Sequence, residues 1–356
     1  MTRVHIIGLA HLPITEEVQA CAFTQKIIKL IKQLKMFEYE VYLYGVGASP
    51  SVIAQCDKFV QSISDTFFNN SKYANNLQTK DFFVIDDQQF NHTMATIAAF
   101  DILRNLRDPG RDIVCVPFGN FMKSATDLIG NNAICVESGI GYSGTYLDNR
   151  VYESYAWMHT AAYVWDSVIN PNFVVIPNCI NPNDKWYFNS NKEDYLLYYG
   201  RLLSSKGVNW AIDAAVALDK KLVMFGQGNI EEFVNDSNRN HVEYLGVIND
   251  REEKAKIVAN AKCMLMPTQY IEPFGTVSIE CMISGTPVMT TDWGVFTETN
   301  QNGVTGFRAR TYNQFLKNIQ RVDEIDPLVC HNYAKSRFSL EVTAKQYDEY
   351  FKSLLE

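Results

Sequence analysis

The chain has 356 residues, 47% hydrophobic, 13% aromatic and 20% charged; this length favours two domains, because single cores stop growing near ~250–300 residues. The composition excludes extended disorder, collagen-like repeats and coiled coil, and no uninterrupted apolar run reaches the about 18 residues that span a bilayer. Lys and Arg total 32 against 40 Asp and Glu, a net charge of −8, so nucleic acid and anionic lipid meet no global attraction and any anionic ligand must be held by local groups.

The start, Met1–Gly8, lacks the long apolar stretch and small-residue cleavage site of a secretory signal. It reads as a buried strand, and a cytoplasmic protein is expected. From there, short runs rich in Val, Ile, Phe and Tyr alternate with helical patterns, the signature of a parallel sheet with crossover helices. Strands are expected at Val4–Gly8, Tyr39–Gly45, Asp81–Asp86, Asp112–Pro117 and Asn132–Glu137. Between the first two, Thr15 is expected to open a helix with Glu16 and Glu17 in its first turn, where the helix dipole favours acids. Ile27, Leu30, Ile31 and Leu34 share one face of that helix, and the stripe Lys26, Lys29, Lys32 and Lys35 reads as its solvated side.

Asn170–Asn191, with three prolines and seven asparagines, reads as a connector containing one strand, Phe173–Ile176. A second strand series is expected at Tyr195–Gly200, Lys220–Gly226, His241–Gly246, Cys263–Pro267 and Pro287–Thr291, with helices at Val208–Leu218, Arg251–Ala261 and Thr276–Ser284. The tail Ser339–Leu355 is helical in pattern. The expected class is therefore α/β, with domains 1–168 and 192–338 facing one another across a ligand cleft. Residues 169–191 connect them, and a C-terminal helix, 339–356, packs back toward the first. The eight cysteines are spread singly without a Cys-x2-Cys pair, which argues for reduced, mostly buried thiols and against a zinc cage.

The most informative segment is Ile271–Glu280, which follows an expected strand and enters an apolar helix that Gly285 can terminate. A Pro273-Phe274-Gly275 turn at a helix start offers backbone N–H groups, and the dipole there favours an anion. Glu272 projects from the loop and Glu280 from the helix; carboxylates suit vicinal hydroxyls on a sugar or ribose. Phosphates in the middle with hydroxyls at both ends describe a nucleoside diphosphate sugar. The second element is Gly200-Arg201 with Lys206-Gly207, directly after a strand, where open α/β sheets bind ligands. Arg grips phosphate oxygens bidentately and Lys adds a compact charge.

Taken in order, the stretches Tyr199-Gly200-Arg201 with Lys206-Gly207, Phe225-Gly226-Gln227-Gly228, Val242–Gly246, Glu272–Gly275 with Glu280, Ser284–Val288, and Glu298 with Asn302–Phe307 closely resemble the retaining glycosyltransferases of family 4. That family has the GT-B fold of two facing Rossmann-like domains. The resemblance covers about residues 173–310. The first strand-to-helix loop, Gly8–Thr15, carries one glycine instead of the family's usual pair. Cys21–Lys26, Gly139–Tyr142 and Arg150–His159 resemble a subgroup seen in bacterial and phage sequences.

The resemblance implies that Arg201 and Lys206 hold the donor diphosphate, Glu272 the hydroxyls of the transferred sugar, and Glu280 the ribose. Gly200, Pro273, Phe274, Gly275 and Thr276 contact sugar and phosphates through backbone. Gly226, Gln227, Gly228, Leu245, Gly246 and Val247 line the base and phosphate pocket, with Gly8 and His11 near the donor. Glu137, Gly139, Tyr142, His92 and His159 are candidates for the acceptor side, although His159 beside Trp157 reads first as a packed histidine. No Asp-x-Asp occurs, so no metal or other cofactor is expected. The expected partners are a nucleotide-sugar donor and a glycan or other hydroxyl acceptor, with hydroxymethylated DNA bases an alternative. A nucleotide-sugar epimerase, a phosphorylase and a non-catalytic binding module are the competing readings. A dinucleotide-binding dehydrogenase is disfavoured, since no Gly-x-Gly-x2-Gly follows the first strand.

Overall fold

The computed structural model describes residues 2–79, 82–166, 168–181 and 185–356. The chain forms two compact units, one of Met1–Asn181 with Leu340–Glu356 and one of Pro182–Ser339. Each is built on its own parallel sheet.

Among the described residues the first unit has seven strands: β1 (Arg3–Ile7), β2 (Glu40–Gly45), β3 (Lys58–Gln61), β4 (Ile113–Val116), β5 (Ile134–Ile140), β6 (Arg150–Tyr152) and β7 (Phe173–Val175). They lie in the order β3-β2-β1-β4-β5-β6-β7. Val4, Ile6 and Ile7 of β1 and all of β4 are buried, as continuous apolar runs require in a sheet covered on both faces. The helix Ala22–Lys35 seals this sheet with Ile27, Ile28, Leu30, Ile31 and Leu34. The helix Leu340–Leu355 adds Tyr347, Tyr350 and Phe351 to the same core. Gln33 donates to Thr343 Oγ1 at 2.6 Å, and the Tyr39 hydroxyl to Asp348 Oδ1 at 3.1 Å.

Four expectations fail in this unit, each for a tertiary reason. Thr15 does not open the helix, which begins at Ala22 after Cys21. Ile14 pairs instead with the loop after β2, donating to Gly47 O and accepting from Ser49 N–H, while Glu16 accepts from the Ser49 and Ser51 hydroxyls at 2.8 and 2.6 Å. Half of the lysine stripe is not solvated, although Lys35 is exposed as expected. Lys29 is only 3% exposed and donates to Asn178 Oδ1 and Cys179 O at 3.0 and 2.6 Å; Lys26 reaches Glu153 and Gly139 O. A second layer of chain covers Lys26 and Lys29, and helical periodicity cannot reveal it. Over residues 82–86 the expected strand is absent, and Asp81 lies outside the described residues. The Asn76 amide takes both backbone groups of Val84, which a strand partner would otherwise satisfy. Finally, β3 and β6 are short strands that the pattern did not single out.

Among the described residues the second unit has six strands: β8 (Tyr195–Tyr199), β9 (Lys221–Phe225), β10 (Val242–Tyr244), β11 (Cys263–Met266), β12 (Val288–Thr291) and β13 (Gly306–Ala309), in the order β10-β9-β8-β11-β12-β13. Its helices Val208–Ala217, Arg251–Asn260 and Thr276–Ile283 fall where the pattern puts them. Strand order reverses between β8 and β11, so the loops leaving these two strands diverge and open a crevice at the carboxyl edge of the sheet. All eight cysteines are free thiols, six of them buried. Of the connector, Pro182–Asp184 lie outside the described residues. Among the described residues no helix is long and apolar enough to cross a membrane.

Candidate functional site

The loop after β8 is fixed by its backbone. Gly200 N–H donates to Phe225 O at 3.0 Å, Leu202 N–H to Gln227 O at 2.8 Å, and the Tyr198 hydroxyl to Arg201 O at 2.9 Å. The Arg201 side chain remains exposed on this hydrogen-bonded loop. Gly207 closes the loop at φ +80°, and a Cβ there would lie 2.1 Å from Pro267 O. Only glycine lets the β8 and β11 loops meet so closely, and Gln269 N–H donates to Ser205 O across the junction at 2.8 Å.

That contact brings Lys206 to Glu272. Nζ and Oε2 form an ion pair whose side chains are 15% and 10% exposed. The Tyr270 hydroxyl donates to the same carboxylate oxygen at 2.8 Å, and Lys206 Nζ sits 5.0 Å over the Tyr270 ring. Burial, and then the neighbouring Glu272 charge, push the Tyr270 phenol above its ordinary range, so it stays a hydrogen-bond donor. Gly275, at φ +73°, turns the chain into the helix Thr276–Ile283 and supplies no side-chain cap. Glu280 is nearly buried one turn inside that helix, while the Phe274 ring is 2% exposed and packs edge-on to Phe338. Only backbone of Phe274 is therefore available to a ligand.

Beside them the β9 and β10 loops are stacked on the first. Gly226 N–H donates to Gly246 O at 2.9 Å, and the Tyr244 hydroxyl bridges Gly226 O and Gly228 O at 2.8 and 3.3 Å. A Cβ at Gly226 would fall 1.9 Å from Gly200 O. Gln227 is nearly buried, Leu245 exposed, Val247 half-buried, and Gly246 has open space beside it. Thus Gly200, Arg201, Lys206, Glu272, the Gly275 turn and the Gly226–Gly228 loop gather at one edge of one sheet. Tyr198, Tyr244 and Tyr270 were not singled out from sequence, because tyrosine beside a strand reads equally well as a sheet former.

The first-unit candidates are dispersed. Gly8 lies against β2, donating to Tyr44 O at 2.6 Å, and its missing Cβ is explained by that same carbonyl 2.8 Å away. His11 is 1% exposed, tilted on Phe118 at 5.1 Å, with Nε2 3.9 Å from Cys21 Sγ. Burial lowers its pKa to about 4, so it is neutral at pH 7. Glu137 is fully enclosed; its Oε2 accepts from the N–H groups of Tyr146 and Leu147 at 2.9 and 3.0 Å, with Arg150 Nε at 3.5 Å. That carboxylate braces a loop, and no outward role for it follows. Gly139 O holds Lys26. His159 is exposed against Tyr155, not packed as expected. Tyr142 and His92 line one cavity of about 830 Å³. Among the described residues no cluster of three His, Cys, Asp or Glu side chains is placed to hold a metal.

Known proteins match in two ways. Residues 181–335 fit the family model described as glycosyl transferases group 1. An uncharacterized glycosyltransferase of Methanocaldococcus jannaschii is 31% identical over 158 residues, 37% of this chain and 39% of that protein. The chain thus spans about two fifths of the length of this curated relative. Sucrose-phosphate synthase of Thermosynechococcus elongatus superposes with a TM-score of 0.74 at 16% identity over 99% of both chains. HepE of Anabaena, solved in complex with UDP and glucose, does so at 0.59 and 17% identity over 99% of this chain and 100% of its own. The two sheets are Rossmann-like domains of the kind found in GT-B glycosyltransferase structures, and residues 181–335 match the glycosyl transferases group 1 model.

Proposed function

We propose that the chain is a retaining, metal-independent glycosyltransferase of family 4, acting in the cytoplasm. It moves a sugar from a nucleoside diphosphate donor, UDP-linked in the first instance, to a hydroxyl of a glycan. The observation that carries this reading is the Lys206–Glu272–Tyr270 cluster beside Arg201 at the β8/β11 switch point. The group 1 domain match supports the reaction class, and the UDP and glucose bound to HepE support the donor.

A diphosphate entering this crevice competes with Glu272 for the Lys206 ammonium. Lys206 and Arg201 then offset the charge that grows on the leaving diphosphate, and preorganised charge of this kind is usually the largest catalytic term. Glu272, released, turns to hydroxyls of the transferred sugar with Tyr270 still donating to it, and Glu280 takes the ribose. Departure and attack occur on one face through an oxocarbenium-like state, and the leaving phosphate accepts the acceptor's proton. No separate base is needed.

The test is a thermal-shift panel of UDP, GDP, ADP, CMP and NAD in EDTA. A ligand at ~100 times its Kd adds about 2.7 kcal/mol, enough for a shift of a few degrees in a protein of this size. One nucleoside diphosphate should shift the midpoint, and Arg201→Ala or Glu280→Gln should erase the shift without lowering the unliganded midpoint. A response to NAD alone refutes the reading.

A further inference from the structure

The first unit holds a cavity of about 830 Å³ that the donor chemistry does not use. It lies beyond the carboxyl end of β4, where Phe118 stacks on Phe121 at 4.9 Å and 21°, and Phe23 meets Phe118 edge-on at 4.7 Å. These rings give the cavity an aromatic wall. Around it stand Gln88, Gln89, Asn120 and His92, all exposed at their side chains. Among the described residues none of these three amides has a protein partner, so their donors and acceptors are available to a ligand.

Two glycines show that the cavity is built. Gly119, at φ +58°, admits the Tyr142 ring to within 2.7 Å of where a Cβ would stand. Gly144, at φ +80°, does the same for the Asn120 amide at 2.5 Å. Any side chain at either position would displace a wall of the cavity. Among the described residues the lining contains no Lys, Arg, Asp or Glu.

We infer that this cavity is the acceptor subsite and that its occupant is an uncharged sugar ring. An aromatic face accepts the apolar C–H face of a pyranose, and neutral amides exchange hydrogen bonds with its hydroxyls. A phosphate, carboxylate or nucleic-acid backbone would find no cation among the described lining residues to repay lost hydration, and Lys26, 5.4 Å over the Phe23 ring, is already held by Glu153. The lining therefore discriminates against polyanionic acceptors, hydroxymethylated DNA among them. The role as acceptor site rests on the transferase reading; the binding of a neutral sugar does not.

Saturation-transfer NMR on the full chain tests it, with methyl glucoside, galactoside, mannoside and N-acetylglucosaminide as probes. Glucuronate, glucose 6-phosphate and a short single-stranded oligonucleotide are the charged comparisons. At least one methyl glycoside should bind and the charged probes should not. Phe121→Leu, which keeps apolar bulk but removes the ring face, should weaken that binding about tenfold, whereas Phe121→Tyr restores it. Asn120→Ala should weaken it by a similar factor, with each variant's melting midpoint confirming its fold. Charged probes binding as well as neutral ones, equal binding by the Leu and Tyr variants, or no glycoside bound by a protein that binds UDP would overturn the proposal. Glycoside binding by a protein that ignores every nucleotide overturns the transferase reading and leaves the cavity's preference standing.

Discussion

Replacing Lys206 by Met leaves Glu272 with a single partner, the Tyr270 hydroxyl. The two side chains are 15% and 10% exposed, so the pair is neither a surface pair worth a few tenths nor a fully dry one. Two unit charges at about 4 Å in an effective dielectric near 20 attract by about 4 kcal/mol before desolvation is counted. Removing one partner of a buried pair costs about 3–5 kcal/mol, because the other charge is stranded. The Tyr270 hydrogen bond and residual solvent access reduce this, so Lys206→Met should destabilise the second unit by about 2–3 kcal/mol. Glu272→Gln keeps the Tyr270 contact and leaves Lys206 over the Tyr270 ring, and should cost about 1 kcal/mol. In the double variant no charge is stranded. It should therefore be more stable than Lys206→Met alone, with a coupling energy of about 2 kcal/mol. Urea denaturation of the four proteins, followed by circular dichroism with the lower transition fitted separately, measures the cycle. Strict additivity would refute the reasoning, since the ion pair would then contribute nothing in solution.

Further outcomes follow from neighbouring features. Gly226→Ala drives a Cβ into Gly200 O, 1.9 Å away at φ +142°, and should cost about 3 kcal/mol or more, visible as a loss of melting midpoint and of nucleotide binding together. His11 has its pKa lowered from 6.5 to about 4 by burial. The unfolded chain therefore binds the proton first, and the stability His11 confers above pH 6.5 is lost as pH falls toward 4. That loss amounts to about 3 kcal/mol; His11→Asn should flatten the urea midpoint over this window relative to the parent, and an unchanged slope would show that the ring is not held neutral. Lys29→Met removes the donor to Asn178 Oδ1 and Cys179 O and should cost about 2 kcal/mol by the same urea assay, whereas a solvated lysine would cost almost nothing.

Much of the second unit was legible because its elements obey local rules. β8, β9 and β11 are nearly unbroken apolar runs, and Gly275 and Gly207 stand where chains must turn or touch, whereas β13, with Arg308 in its four residues, was not singled out. The first unit was less legible. Lys26 and Lys29 follow the amphipathic pattern of an exposed face, yet their ammonium groups are used by Glu153, Gly139, Asn178 and Cys179, which lie more than a hundred residues away. Residues 82–86 have strand composition but are held by the side chains of Asn76 and Asn91. The same limit applies to the candidate site. Arg201, Lys206 and Glu272 announced themselves by residue type, but the tyrosine shared by Lys206 and Glu272 did not. Glu137 looked like an outward carboxylate at a strand end, and its commitment to the Tyr146–Leu147 backbone depends on how that loop returns.

The first unit is discontinuous: its core needs Tyr347, Tyr350 and Phe351, supplied only after the whole second unit has been traversed. During synthesis on the ribosome, the second unit, begun later, is therefore the one that can close first. Until residues 340–356 emerge, Gln33 and Tyr39 lack their partners Thr343 and Asp348, and the aromatic floor beneath the helix Ala22–Lys35 stays open to water. A premature stop before Tyr347 would consequently leave the crevice of the second unit intact while exposing the other unit to chaperones and proteases.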